Sequence, residues 1–504
     1  MRRSCSPAAL VLLAALTVAG CKVGPDCCPW HDPLLPEWRQ KLDDSLVASG
    51  AADEIWWTAF NDPQLNGLVE RARAQNLSLY EAELRIREAR AQRGVARAGL
   101  FPEVGQKDSY ARIDISDRGS PFGITGFTFP PFNMWSTGFD MSWEIDLFGR
   151  VRRTLEAATA DIFAATEGRN AVQVSVLGEV AATYVTLRTF EQRIVTAKEN
   201  VRIQSETLRI TQRKFDQGAV SKLEVAQATT QLHRTLAALP LMYRERDRTI
   251  NRLCVLQAQQ PQDLSAWLGE SGPIPKPPAT IAVGIPVNLV RQRPDLRRAE
   301  WEVIAQSARI GVATAELYPR FSLTGTFTLD AADITQLFTG DSIAYQVVPA
   351  ARWSILNFGR VRSNIAVQQT RWEEALTRYR QAVLQAVEEV ENALTAYLRT
   401  RDSEVEFSKA VASAKDAVQV AQVKFDAGTV GFQSLLDAQR ELAEVQDRHQ
   451  EVSGNVALSV VALYKALGGG WNWTSRPGAV LVAEPAPAPE PDQPPAPTPP
   501  AGLP

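Results

Sequence analysis

Trp143-Glu144-Ile145-Asp146-Leu147-Phe148-Gly149-Arg150-Val151-Arg152 decides the fold, because its key positions recur 210 residues on as Trp353, Ile355 and Phe358-Gly359-Arg360-Val361-Arg362. A long polar, alanine-rich run follows each copy. Each run ends in the same signature, Lys214-Phe215-Asp216-Gln217-Gly218 and Lys424-Phe425-Asp426-Ala427-Gly428. An offset held without a gap over about 70 residues marks an internal duplication.

Upstream of the first copy the pattern has a period of two. Met134 to Leu147 puts Trp135, Thr137, Phe139, Met141, Trp143, Ile145 and Leu147 on one face, with small or charged residues between them. Ser109 to Ser116 alternates as well, and a Gly/Pro/Ser-rich loop from Asp117 to Asn133 joins the two stretches. The second repeat has the same plan, with Phe321 to Leu329 and then Ala344 to Asn357. Strands of this length with one apolar face suit a membrane barrel, and also a soluble hairpin packed on a core.

Downstream the period becomes helical. From Arg150 to Phe215 no proline intervenes, and Val180, Leu187, Ile194, Val201, Leu208 and Phe215 recur every seven residues. Such a helix is nearly 100 Å long at 1.5 Å per residue. Gly218 stops it, and Ser221 with Glu224 reads as a capping box that starts a return helix. Before the strands, Asp62-Pro63 starts an amphipathic helix of roughly 37 residues that Phe101-Pro102 stops. Its counterpart runs from Leu296 to Leu317, with Asp295 as candidate cap and Tyr318-Pro319 as stop.

The expected organisation is therefore a signal segment at 1–20 and an arm at 21–61. The first repeat covers 62–259, with strands 103–116 and 134–148, long helix 150–217 and helix 221–257. A connector covers 260–290. The second repeat covers 291–467, with strands 320–330 and 344–357, long helix 360–427 and helix 432–467. A C-terminal segment at 468–483 packs back through Trp471 and Trp473, and 484–504 is a Pro/Ala-rich tail without the composition for a core.

The chain has 504 residues and a formal net charge of -3, which does not point to nucleic acid. Arg2 and Arg3, the apolar run Ala8 to Val18, and Val18-Ala19-Gly20-Cys21 form a processing signal that resembles a bacterial lipobox. That reading makes Cys21 a lipid-bearing residue. An ordinary secretory signal is the plainer alternative. Lys22 after the cysteine favours the outer over the inner membrane by likeness to such lipoproteins. No later segment has 18 uninterrupted apolar residues, so a barrel is the remaining way to span a bilayer. The five cysteines fit no metal site or disulfide framework, and His31, His233 and His449 are not spaced as ligands.

One chain offers four strands, and four strands cannot satisfy their own edges in lipid. Other copies must close them, and the long helices then continue the wall as a tube. Composition and periodicity thus reach an oligomeric channel or pillar at a membrane.

The chain resembles the outer-membrane factor proteins of multidrug efflux pumps, the TolC-like group, and in particular their lipidated NodT/OprM-like branch. The likeness lies in Cys21-Lys22-Val23-Gly24-Pro25-Asp26, Trp56-Trp57, Phe60-Asn61-Asp62, Phe101-Pro102, and Trp143 through Arg150. It continues in Arg293-Pro294-Asp295-Leu296, Ile310-Gly311-Val312-Ala313, Phe358-Gly359-Arg360 and Leu435-Leu436-Asp437-Ala438-Gln439. The resemblance implies a mixed α/β membrane protein. Each homotrimer subunit gives four strands to a 12-stranded transmembrane β-barrel, continued by an α-helical periplasmic barrel. It implies a passive exit duct for drugs or other small molecules in a Gram-negative outer membrane, without enzymatic activity or cofactor. The implied partners are a periplasmic adaptor and an RND-type inner-membrane transporter.

The same resemblance implies site residues. Gly218, Val220, Gly428 and Val430 would form the tip turns that meet the adaptor, and Asp437, Glu224, Ser434 and Phe425 would belong to the periplasmic constriction. Ser434 stands where relatives carry an acid, Val430 where they carry a basic residue, and Phe425 where they carry tyrosine. A gate with fewer charge contacts is therefore expected. Glu224 reads equally as a capping residue and Asp437 as a solvated helix acid. Two other functions stay open, a duct for type I protein secretion and a non-conducting coiled-coil pillar or adaptor.

Overall fold

The computed structural model describes residues 21–26, 36–47, 54–114, 130–269, 271–286, 289 and 292–472. The signal segment, Cys27, Cys28, His31, Trp473 and the tail lie outside these residues.

After the arm come β1 (Leu46–Val47) and a 3-10 turn at Trp56–Phe60. The first repeat is α1 (Pro63–Gln75), α2 (Leu77–Ala98), β2 (Glu103–Ile113), β3 (Phe132–Ile145), α3 (Arg150–Asp216) and α4 (Lys222–Leu256). The connector carries β4 (Ile281–Ala282). The second repeat is α5 (Pro294–Ala315), β5 (Arg320–Ala331), β6 (Ile343–Arg352), α6 (Arg360–Asp426) and α7 (Phe432–Ala466).

The expected single helix after Asp62 is two helices. Asn76 is extended, with ψ 127°, and its Oδ1 accepts from the backbone N–H groups of Ser78 and Leu79 at 3.0 and 3.2 Å. Its Nδ2 donates to Leu256 O at 2.9 Å, which ties the break to the end of α4. A capping asparagine fixed by a tertiary bond outweighs helical continuity here. The cap of α5 is Arg293, with Pro294 at the first helical position. Asp295 instead pairs with Arg293 at 2.7 Å.

Strand limits also differ. β6 ends at Arg352, five residues before the expected end, because β5 begins at Arg320, its pairing partner. β3 starts at Phe132 and ends at Ile145. Asp146 leaves the sheet and accepts from Arg152 N at 2.9 Å, inside the first turn of α3. α4 contains Pro240, which the sequence reading passed over. The connector is more ordered than its Pro/Gly content suggested, since β4 pairs in parallel with β1.

The four long strands form one antiparallel sheet in the order β2-β3-β5-β6. The repeats join at β3 and β5, where Phe139 faces Phe327, and Phe327 in turn faces Tyr345 of β6. These three aromatic rings are exposed, and so is every residue of β6. The sheet continues into helices. Near the strands the wall order is α2-α3-α5-α6; farther away it is α4-α3-α7-α6. Gly454 lets α7 approach α3, where a Cβ would lie 2.2 Å from Thr189 Oγ1. The main core lies at mid-length, around Trp56, Trp57, Leu65, Leu177, Tyr184, Val390 and Tyr464. Trp56 stacks on Tyr464 at 5.2 Å, and Trp471 donates to Gln292 O at 3.0 Å.

Candidate gate and docking tip

The end farthest from the sheet is made by two helix-to-helix turns. At the first, Gly218 N donates to Phe215 O at 2.8 Å and Ala219 N to Lys214 O at 2.8 Å. At the second, Gly428 N donates to Phe425 O at 3.1 Å and Thr429 N to Lys424 O at 2.9 Å. The glycines have φ of 74° and 72°, the left-handed setting that favours glycine at a helix C-terminus. No atom stands within 4 Å of where a Cβ would be on either, so both turns face outward. Val220 and Val430 are half-buried beneath them.

The two turns restart differently. Ser221 and Glu224 form a complete capping box, in which Glu224 accepts from Ser221 N at 2.9 Å and from the Ser221 hydroxyl. The Ser221 side-chain hydrogen bond, helped by backbone N–H groups, holds the Glu224 carboxyl below the usual glutamate range. Its cap role is therefore realised. In the second repeat Gly431 is the cap and offers no side chain, while Ser434 is exposed and donates its N–H to Gly431 O at 3.1 Å.

Phe425 does not line the surface. It is 5% exposed, whereas its repeat counterpart Phe215 is 38% exposed. Its ring packs with Phe432, Leu435, Leu436 and Ala228, which joins the two hairpins. What Phe425 can do for a gate is hold the hairpins together. Lys214, which the sequence reading did not single out, crosses between the hairpins. Its Nζ lies 3.9 Å from the Phe425 ring centroid, 3.3 Å from Phe425 O and 3.8 Å from Asp426 Oδ1. A charge contact therefore joins the tip from a position outside the turns. The Lys-Phe-Asp signature contained that lysine, but nothing in the signature distinguishes it from Lys424.

Asp437 lies on α7, about half exposed. It accepts from Gln433 Nε2 at 2.8 Å and lies 3.5 Å from Arg440 Nη1. Gln433 also takes a bond from Gln227 Nε2 of α4 at 3.2 Å. A polar notch of 230 Å³ between α4 and α7 is lined by Gln227, Thr230, Arg234, Gln433 and Arg440 among others. The tip is thus charged, outward-facing and held from within by aromatic packing. At the other end Cys21 is exposed beside the start of α3. Among the described residues no group of side chains is arranged to hold a metal, and no helix is long and apolar enough to cross a membrane.

The family model described as "Outer membrane efflux protein" matches residues 68–257 and 285–469. The chain is 31% identical over 440 residues to the pyoverdine export outer membrane protein OpmQ of Pseudomonas putida, covering 84% of this chain and 90% of that one. It is 27% identical over 466 residues to nodulation protein T of Rhizobium leguminosarum bv. trifolii, covering 92% and 97%. The solved outer-membrane channel OprN superposes with a TM-score of 0.82 at 32% identity, covering 90% of this chain and all of that one.

Proposed function

Because the chain belongs to the outer membrane efflux protein family, we propose that three copies close into one duct, whose tip meets a periplasmic adaptor fed by an RND-type inner-membrane transporter. The protein is an outer-membrane efflux duct of a tripartite pump and extends into the periplasm. It is not an enzyme.

The observation that carries the reading is a four-stranded sheet with two unpaired edges, β2 and β6, running directly into 67-residue helices. Unpaired strand edges in hydrocarbon cost several kcal/mol per backbone group. A closed ring of copies, β6 of one against β2 of the next, removes the cost. The exposed Phe139, Phe327 and Tyr345 then face lipid. Lipid on Cys21 adds an anchor at the same membrane.

Gly218, Val220, Gly428 and Val430 are the surface offered to the adaptor. Asp437, with Ser434 near it, faces the constriction, and the Phe425 core with Lys214 keeps the hairpins together. Small molecules are the cargo, a reading supported by the relative named for pyoverdine export. The type I secretion and pillar readings have no comparable support.

Single-channel recording in planar bilayers tests the duct. Wild-type protein is expected to open briefly and to small conductance. Gly218→Val combined with Gly428→Val strains both turns, since a β-branched residue resists positive φ, and should enlarge the openings. Silence from both, in protein shown to be inserted, would sink the proposal.

A further inference from the structure

We propose that residues 22–26 are a recognition segment held in a slot built by both repeats, and that the slot sets where the lipid on Cys21 enters the membrane and so guides barrel insertion. This rests on the reading of Cys21 as the lipid-bearing residue.

The slot is organised by Arg153, on the first turn of α3. It is only 1% exposed, yet its guanidinium points at the arm. Nε donates to Val23 O at 3.0 Å and Nη2 to Gly24 O at 2.9 Å. Nη1 lies 2.9 Å from Asp26 Oδ1 and 3.0 Å from Glu156 Oε2. Glu156 also takes Lys22 Nζ at 2.8 Å, and Val23 N donates to Phe148 O at 3.3 Å. Arg152 donates to Cys21 O at 3.4 Å.

The other wall comes from the second repeat. Gly24 lies against Gly311 of α5 so closely that a Cβ on Gly24 would stand 2.4 Å from Gly311 Cα. A Cβ on Gly311 would stand 2.6 Å from Arg153 Nε. Gly24 also has φ of 95°. The arm therefore threads a gap that only glycine on both sides leaves open.

The duplication supplies a control. At the matching place in the other repeat Ser363 replaces Arg153, while Gly94 matches Gly311 by its distance from the Phe-Pro or Tyr-Pro stop. The second repeat thus carries no guanidinium at the position that matches Arg153. A buried guanidinium is costly unless its donors are used. Apart from Glu156, the partners of this one all belong to the arm. The arm completes the charge balance of the slot, and the slot exists only when α3 and α5 have packed. Cys21 is thereby fixed beside Phe148, where the sheet gives way to helix.

The test uses the full chain and three variants. Gly24→Val leaves the body untouched and blocks the arm. Arg153→Met removes the recognition group, and Arg153→Lys keeps its charge but not its fork. Detergent-purified protein is treated with trypsin, and mass spectrometry follows cleavage after Lys22, reading at the same time whether Cys21 carries lipid. Wild type should be cut at least about tenfold more slowly than Gly24→Val or Arg153→Met, since local opening exposes the bond. Arg153→Lys should lie between. Gly24→Val should be lipidated as wild type is, yet give less heat-resistant inserted trimer. Equal cleavage rates, or full insertion of lipidated Gly24→Val, would overturn the proposal. Absence of lipid from wild type would refute the lipid reading instead, while the cleavage rates still judge the slot.

Discussion

Trp143 donates its indole N–H to Leu100 O at 3.1 Å, and 210 residues later Trp353 makes the same bond to Leu317 O at 3.0 Å. Each bond pins the end of a strand to the end of the helix that precedes the strand pair. The two repeats are therefore chemically equivalent at the junction of sheet and helix. Contacts across the seam inside the chain should then recur across the seam between copies.

One such contact is specific enough to test. Inside the chain Phe148 stacks on Tyr318, centroids 4.6 Å apart. The counterparts are Phe358, 92% exposed, and Phe101, 59% exposed, on opposite open edges. In the proposed trimer Phe358 of one copy meets Phe101 of the next. A Phe101→Cys/Phe358→Cys chain, with Cys27, Cys28 and Cys254 replaced by alanine, should be joined into covalent trimers by a short bismaleimide. Each single variant should not. A trimer by light scattering that resists joining would refute this contact and leave assembly standing.

Phe425→Ala removes the ring that joins the hairpins and also the seat of the Lys214 ammonium. Large-to-small changes of a buried phenylalanine cost about 3–5 kcal/mol. The loss should be local, appearing as faster hydrogen exchange at Gly428 and Thr429 and as longer channel openings. Phe215→Ala, at the more exposed counterpart, should do much less. Equal effects of the two would mean that Phe425 does not hold the tip.

These two phenylalanines also show what could be read from sequence and what could not. The shared Lys-Phe-Asp-x-Gly signature located both turns, because a helix stop needs a residue tolerant of positive φ. The signature could not tell that the second hairpin lies against the first, which buries Phe425 and leaves Phe215 in the open. The strands and long helices were legible because their periods run for many residues. The break at Asn76 was not, because one tertiary bond to Leu256 decides it. The slot around Arg153 was invisible for the same reason, since its partners lie more than a hundred residues away.

Glu224 gives a pH dependence of known sign. Its folded-state pKa is depressed by the Ser221 side-chain hydrogen bond, helped by backbone N–H groups. The cap's contribution is therefore full above the ordinary glutamate range and is lost as pH falls through the depressed value. Hydrogen exchange at the first turn of α4, measured relative to the intrinsic amide rate at each pH, should rise as the medium is acidified toward pH 3. In Glu224→Gln that acid-dependent rise should vanish, with exchange already raised at neutral pH. The Gly431-capped turn of α7 serves as the internal control.

Asp437 and Arg440 lie 3.5 Å apart, both about half exposed, so their pairing is worth little in stability, and an ion passing close by feels mainly the nearer of the two charges. In the proposed trimer each supplies a ring of three charges near the opening, and the preference of the channel is set by which ring lies nearer the ion path. With Asp437 in its proposed place at the constriction, the acid ring is the nearer one. Asp437→Ala should then shift the reversal potential in a potassium chloride gradient away from cations, because the guanidinium ring remains. Arg440→Ala should shift it further toward cations. Both shifts should shrink as salt rises, since screening shortens their reach to about 3 Å at 1 M. An unmoved reversal potential in Asp437→Ala, with Arg440→Ala altered, would assign the ion path to the arginine. No change in either would remove this part of α7 from the constriction.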